Sequence, residues 1–157
     1  MSKIKIGGIV RFSNLFCFSL AGASKPTTTS AVLLNALAEA NINVQFIVQG
    51  SHKENSGMLV FCVDRVDQAG TMDIVHTIQS THEFHILDID PQVTSIGIYG
   101  PDFRIQPGLA SSFLRALDTA GVDVQAISTS ISTFSVIVPS VQADLALSAI
   151  DQVFELP

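Results

Sequence analysis

The chain has 157 residues, with 8 Lys and Arg against 14 Asp and Glu, a formal net charge of −6 and a pI near 4.9. Within this chain that length excludes a two-lobed kinase, a dehydrogenase or an α/β barrel, and the acidic balance argues against nucleic acid as a partner. Only 14% of residues are charged and mean hydropathy is +0.44, against about 25% charged in an average domain, which points to surface buried in an oligomer, in the first place a homodimer.

In chain order, Ile4 to Val10 reads as a strand, with Gly7-Gly8 marking a bend, and Leu15 to Ala21 as a second strand. Lys3, Lys5 and Arg11 before an apolar run ending Ala21-Gly22-Ala23 give the outline of a secretory signal, but Arg11, Ser13 and Asn14 interrupt it. Cys17 and Cys62 sit in apolar runs without metal-like spacing, so two reduced core thiols and a cytoplasmic location are expected. The longest clean apolar run, Met58 to Val63, is far short of the roughly 18 residues of a membrane helix.

Behind a Thr29-Ser30 cap, Leu33, Ala36, Leu37 and Ala40 make a helical stripe, and Asn41 stops it before Val44, Phe46 and Val48 alternate as a strand. A long polar turn, Gln49 to Gly57, leads to the strand Met58 to Val63. Asp67 then caps a helix bearing Ala69, Met72, Val75 and Ile78, and Phe84 to Ile89 is extended. Thr94 to Gly100 is the next strand, followed by the loop GPDFRIQPG and a helix with Phe113, Ala116, Leu117 and Ala120 on one face. Gly121 stops that helix. Val122 to Ile131 is extended, Ser132-Thr133 turns, Phe134 to Val138 returns, and Ser140 caps a last helix with Val141, Leu145, Ala149 and Val153.

The chain is duplicated. Leu33 to Val48 aligns with Phe113 to Ser128 at an offset of eighty positions, matching Leu34 with Leu114, Leu37 with Leu117, Ala40 with Ala120, Val44 with Val124 and Gln45 with Gln125. The first copy has the order β-α-β-β-α-β; the second lacks its last strand, and Ile4 to Val10 is the unassigned strand that would complete it. The fold class is therefore α+β: two interleaved ferredoxin-like units with antiparallel sheets, residues 11–91 and residues 92–157, the latter completed by strand 4–10.

The segments Ala36 to Val44 and Ile47 to Gln49, then Gln106-Pro107-Gly108, Ile127-Ser128-Thr129-Ser130 and Phe134 to Val138 together resemble the paired ACT units of aspartate kinases. The likeness implies a non-catalytic regulatory module, dimers with continuous sheets, an amino-acid effector such as threonine or lysine held between units, and a kinase catalytic subunit as a partner. Where the family has Asp-x-Pro-Gly at the first helix start, this chain has Lys25-Pro26-Thr27-Thr28, without the Asp or the Gly. The alternative is a ligand-free assembly protein that keeps the paired fold.

Two helix-start loops, each facing a strand, are the candidate effector sites: Lys25 and Thr28 with Asn43 and Gln49, and Asp102, Gln106, Pro107 and Gly108 with Asp123, Ile127, Ser128 and Thr129. A helix N-terminus stabilises a carboxylate by about 0.3 to 1 kcal/mol, Gly108 permits close approach, and Asp102 or Arg104 could take the other charges of a zwitterion. A zwitterion is expected at the second loop, or else a ligand whose acid group meets Lys25 at the first. Gln49 and Ser128 would add hydrogen bonds. Lys5-Ile6-Gly7-Gly8 superficially resembles a kinase nucleotide segment but no kinase body follows it. His82, Glu83, His85, Asp88 and Asp90 read as a solvated polar edge, and Ser128-Thr129-Ser130 lacks a glycine elbow or an ordered base. No catalytic residue, metal site or cofactor is expected.

Overall fold

The computed structural model describes residues 3–22, 25–52 and 56–157. Its elements in chain order are β1 (Ile4–Lys5), β2 (Gly8–Ala21), α1 (Pro26–Glu39), β3 (Val44–His52), β4 (Ser56–Asp64), α2 (Gln68–Gln79), β5 (His85–Tyr99), α3 (Leu109–Thr119), β6 (Ala126–Thr129), β7 (Thr133–Pro139), α4 (Ala143–Val153) and β8 (Phe154–Glu155). Short 3-10 turns at Arg65–Asp67, Pro101–Arg104 and Ser140–Gln142 precede α2, α3 and α4. Two compact units result: Asn14–Gln92, and Met1–Ser13 with Val93–Pro157. Ala23, the end of the secretory-like pattern, and residues 53–55, in the polar turn, lie outside the described residues.

The unit of residues 14–92 runs β2-α1-β3-β4-α2-β5, with strand order β3-β4-β2-β5. Strand β4 is antiparallel to both neighbours, and the pairing with β2 carries Leu15 opposite Asp64 through to Ala21 opposite Met58. The period of two sends Phe16, Phe18 and Leu20 of β2 and Leu59, Phe61 and Val63 of β4 to one face, where Leu33 and Leu37 of α1 and Val75 and Ile78 of α2 cover them. Phe18 stacks on Phe61 at 5.0 Å and Phe16 meets Phe18 edge-on at 5.0 Å. Each such side chain contributes about 1.5 to 3 kcal/mol by leaving water.

In the other unit the order is β2-β5-β7-β6, with β5 and β6 antiparallel to β7. Its core joins Ile96 and Ile98 of β5, Val136 and Val138 of β7, Phe113 and Leu117 of α3 and Ile150 of α4, with Ile6 and Phe154 from the two chain ends. Strand β1 pairs in parallel with β8, Ile4 opposite Phe154. The last helix thus does end in a strand, of two residues, because Phe154 turns extended (φ −109°, ψ 149°) and seats its ring 6.2 Å from that of Phe113.

The duplication is reproduced down to the helix stops. Asn41 (φ 58°) and Gly121 (φ 73°) are both left-handed and close the same motif: Asn41 N donates to Ala38 O and Ile42 N to Leu37 O, while Gly121 N donates to Asp118 O and Val122 N to Leu117 O. In each copy the residue after the stop, Ile42 or Val122, is buried against its helix.

Several local expectations are corrected. Ile4–Val10 is not one strand: β1 ends at Lys5, and β2 runs unbroken from Gly8 through the left-handed Asn14 to Ala21. Likewise Phe84–Ile89 and Thr94–Gly100 merge into the single strand β5, through Pro91. Both long strands pass from one unit into the other, so neither needs the break that a one-unit reading assigns it. Helix α1 starts at Pro26, not behind Thr29-Ser30, because proline is preset for the first helical position, and Thr29 N already donates to Lys25 O at 3.0 Å. The side-chain cap before α2 is Asp64, accepting from Val66 N at 3.0 Å, rather than Asp67. Val141 is 88% exposed in its 3-10 turn, since Ala143, Ala146, Ala149 and Ile150 are the face of α4 that meets the core. The extended segment Val122–Ile131 forms ladder pairs over Ala126–Thr129 alone. Strands β3 and β4 reach His52 and Ser56, well into the supposed turn.

Candidate functional site

The first helix-start loop is closed down on its own unit. Lys25 is the N-cap of α1 and makes no side-chain capping bond; Lys25 and Thr28 are exposed while Thr29 and Ser30 are buried. Ser30 Oγ donates to Gln49 Oε1 of β3, tying the first turns of α1 to the end of the facing strand. Gly57 of β4 lies against Pro26, where an added Cβ would stand 2.5 Å from the Pro26 Cγ. Pro26, Thr29, Ser30, Gln49 and Gly57, but neither Lys25 nor Thr28, line a concavity of about 20 Å³ floored by Leu20, Leu59 and Phe84, room for about one water.

The second loop is open. Gly108 is the N-cap of α3 at φ 93°, Pro107 precedes it, and Gln106, Pro107 and Gly108 are all exposed. An added Cβ at Gly108 meets nothing within 4 Å, so glycine is required there by the backbone angle. Asp102 lies in the Pro101–Arg104 turn. On β6 Ser128 is opposite Ser135 of β7, Ile127 is 41% exposed, and Thr129 Oγ1 donates to Thr133 O at 3.4 Å.

The candidates divide between two ends of each unit. Gln49 stands at the start of α1, whereas Asn43 and Asp123 follow the helix stops Asn41 and Gly121, one helix length (about 21 Å for the fourteen residues of α1, about 16 Å for the eleven of α3) from the helix starts. Asp123 N donates to Gln142 Oε1 at 2.8 Å, which fixes it beside the approach to α4. Sequence reasoning did not include Ser30 among the candidates. Its signal was Pro26, which sets the helix start and so turns Ser30 inward.

Elsewhere, Gly7 and Gly8 carry Tyr99: Gly7 N donates to Tyr99 O at 2.7 Å, and a Cβ at Gly8 would fall 2.5 Å from the Tyr99 hydroxyl. Cys17 and Cys62 are free, buried and directly opposite on β2 and β4. The hydrogen bond with Cys17, together with burial, pushes the Cys62 thiol far up from its ordinary pKa. Among the described residues no three His, Cys, Asp or Glu side chains group as metal ligands. No helix among them is long and apolar enough to cross a membrane.

Two βαββαβ units with helices on one face of antiparallel strands define the ACT fold in duplicate, and residues 96–154 match the ACT domain family model. The chain is similar to aspartokinases: that of Corynebacterium glutamicum is 27% identical over 140 residues, covering 88% of this chain and 33% of that protein. The chain thus spans about a third of the length of the curated relatives it matches (33% and 31% for two of them). Among solved structures, aspartokinase alpha and beta subunits align at 27% identity and TM-score 0.82, over 94% of this chain and 97% of the other. The ligand-free regulatory subunit of aspartate kinase from Thermus thermophilus aligns at TM-score 0.85 and 24% identity, over 96% of this chain and 99% of that one.

Proposed function

We propose that this chain is a non-catalytic amino-acid-sensing regulatory module of an aspartate kinase, acting as a dimer on a kinase catalytic chain. The observation that carries the reading is the agreement along nearly the whole chain with the aspartokinase subunits just described, at an identity shared with the curated aspartokinases. The proposed effector is a small amino acid, threonine or lysine in the first place, held at a helix start and covered by a second copy. The open second loop, with Gln106, Pro107 and Gly108 exposed, supports a carboxylate there. The effector acts by preferring one packing of the dimer, and its effect on the kinase equals its difference in affinity for the two.

A second reading, a ligand-free assembly protein, is favoured by the first loop, where Ser30 already occupies Gln49 and about 20 Å³ remains open. A thermal-shift screen with the twenty amino acids separates the two. Ligand at about 100 times its Kd adds roughly 2.7 kcal/mol, or about 5 to 10 °C for a chain of this size. A shift with threonine or lysine, together with a dimeric mass by sedimentation, supports the sensor; no shift with any amino acid gives the assembly reading.

A further inference from the structure

In the unit built from residues 1–13 and 93–157, a groove of about 590 Å³ runs between α3 and α4. Its bed is small and apolar, made by Ala116 and Ala120 on one helix and Leu145 and Ala149 on the other. The ionisable groups on its walls are Lys3 and Arg115, and no Asp or Glu lines it among the described residues. Lys3 belongs to one end of the groove, and Arg115 lies near the middle of α3. Ile4 pairs with Phe154 just beyond α4, and the Phe154 ring lies 6.2 Å from Phe113, so the start of α3 adjoins the end of α4. Lys3 stands at that end with Arg115 two residues past Phe113, and Ala120 and Leu145 form the other end.

The duplication shows that the fold does not need this charge pattern. At the offset of eighty, Arg115 and Thr119 correspond to Asn35 and Glu39 of α1, which hydrogen-bond each other at 2.9 Å. The matching 3-10 turns at Arg65–Asp67 and Ser140–Gln142 likewise set Ser148 against Asp73 of α2. At the groove-lining positions the second helical layer thus lacks the two carboxylates of its twin and carries Arg115, with Lys3 added from the N-terminal segment, while its own carboxylates, Asp118, Asp144 and Asp151, are not among the lining residues. In a chain of net charge −6 the lining of this groove carries two cations and no carboxylate among the described residues.

We infer that the α3/α4 groove binds a small carboxylate with an extended apolar body, its acid group on Lys3 and Arg115 and its body along Ala116, Ala120, Leu145 and Ala149. The volume falls within the roughly 300 to 1,000 Å³ of small-molecule sites, and the lining, from Ser112 to Ala120 and from Leu145 to Val153, is about 12 Å long. With no carboxylate among the described lining residues an ammonium finds no charged partner, so a zwitterionic amino acid is disfavoured and the site is separate from the one proposed above.

The test is titration of the full chain with sodium octanoate, followed by calorimetry and by amide shifts in ¹⁵N-labelled protein, with 1-octanol and sodium acetate as comparison ligands. Octanoate should saturate with shifts centred on Ser112, Ala116, Ser148 and Ala149, acetate should not bind, and 1-octanol should bind about tenfold more weakly for want of the two cations. The variant Lys3→Glu/Arg115→Glu, both residues being exposed, should keep its melting temperature and lose octanoate affinity by at least about tenfold. Absence of saturable octanoate binding, equal binding of 1-octanol, shifts centred on Pro26, Ser30 and Gln49, or an unchanged affinity in a folded double variant would each overturn the proposal.

Discussion

Replacing Gly121 by alanine isolates the backbone contribution of the second helix stop. Gly121 sits at φ 73°, and a Cβ built on it meets no heavy atom within 4 Å, so no clash enters the result. What remains is the left-handed conformation, about 1 to 2 kcal/mol for a residue with a Cβ, offset by roughly 0.4 to 1 kcal/mol because alanine also restricts the unfolded chain. The net expectation is a loss of about 1 kcal/mol, or roughly 2 to 4 °C in melting temperature for a chain of this length. The twin position makes the comparison internal: Asn41 holds φ 58° in the same hydrogen-bonded motif, and asparagine tolerates that region. Gly121→Asn should therefore lose clearly less than Gly121→Ala, and Asn41→Ala should lose about as much as Gly121→Ala. Urea denaturation with unchanged slope is the assay. If Gly121→Ala is neutral or stabilising, or if Gly121→Asn is as damaging as alanine, the backbone argument fails.

Ser30→Ala removes the partner of the Gln49 amide at a buried helix turn and should lower stability by about 1 kcal/mol; a double-mutant cycle with Gln49→Ala that proves additive would deny the coupling. The Cys62 thiol is raised, by its bond to Cys17 and by burial, so the native state keeps a proton that the unfolded state gives up above about pH 8.5; that contribution to stability is fully present below this pH and is lost as pH rises. Cys62→Ala should show a flatter alkaline decline in urea midpoint than the parent chain, and parallel profiles would contradict the assignment. Asp144→Ala breaks the 3.0 Å pair with Arg11, but the two side chains are 90% and 40% exposed, so the change in thermal midpoint should stay within that of about 0.5 kcal/mol.

The amino-acid sequence by itself determined the β-α-β-β-α-β order of the first copy and its repetition as far as the last helix of the second, the places of the four helices to within about a turn, and both helix stops. These are local quantities: apolar spacing of three and four along Leu33, Ala36, Leu37 and Ala40, its change to two at Val44, and a residue tolerant of φ > 0 at Asn41 and Gly121. The candidate site was legible only as a pair of loops. Tertiary structure alone decided that the first is occupied by Ser30 and Gln49, nineteen positions apart, and that the second stands open. It also decided that the Tyr99 ring of β5 lies over Gly8, where an added Cβ would displace it, and which face of α4 is buried. Strands β2 and β5 show the same limit. The apolar pattern resets at Arg11 to Asn14 and again at Asp90 to Gln92, which by itself implies a break in each, yet backbone hydrogen bonding takes no account of side-chain polarity and carries both strands through. Periodicity records which face of an element meets a core; what that face meets is fixed by residues far away in the chain.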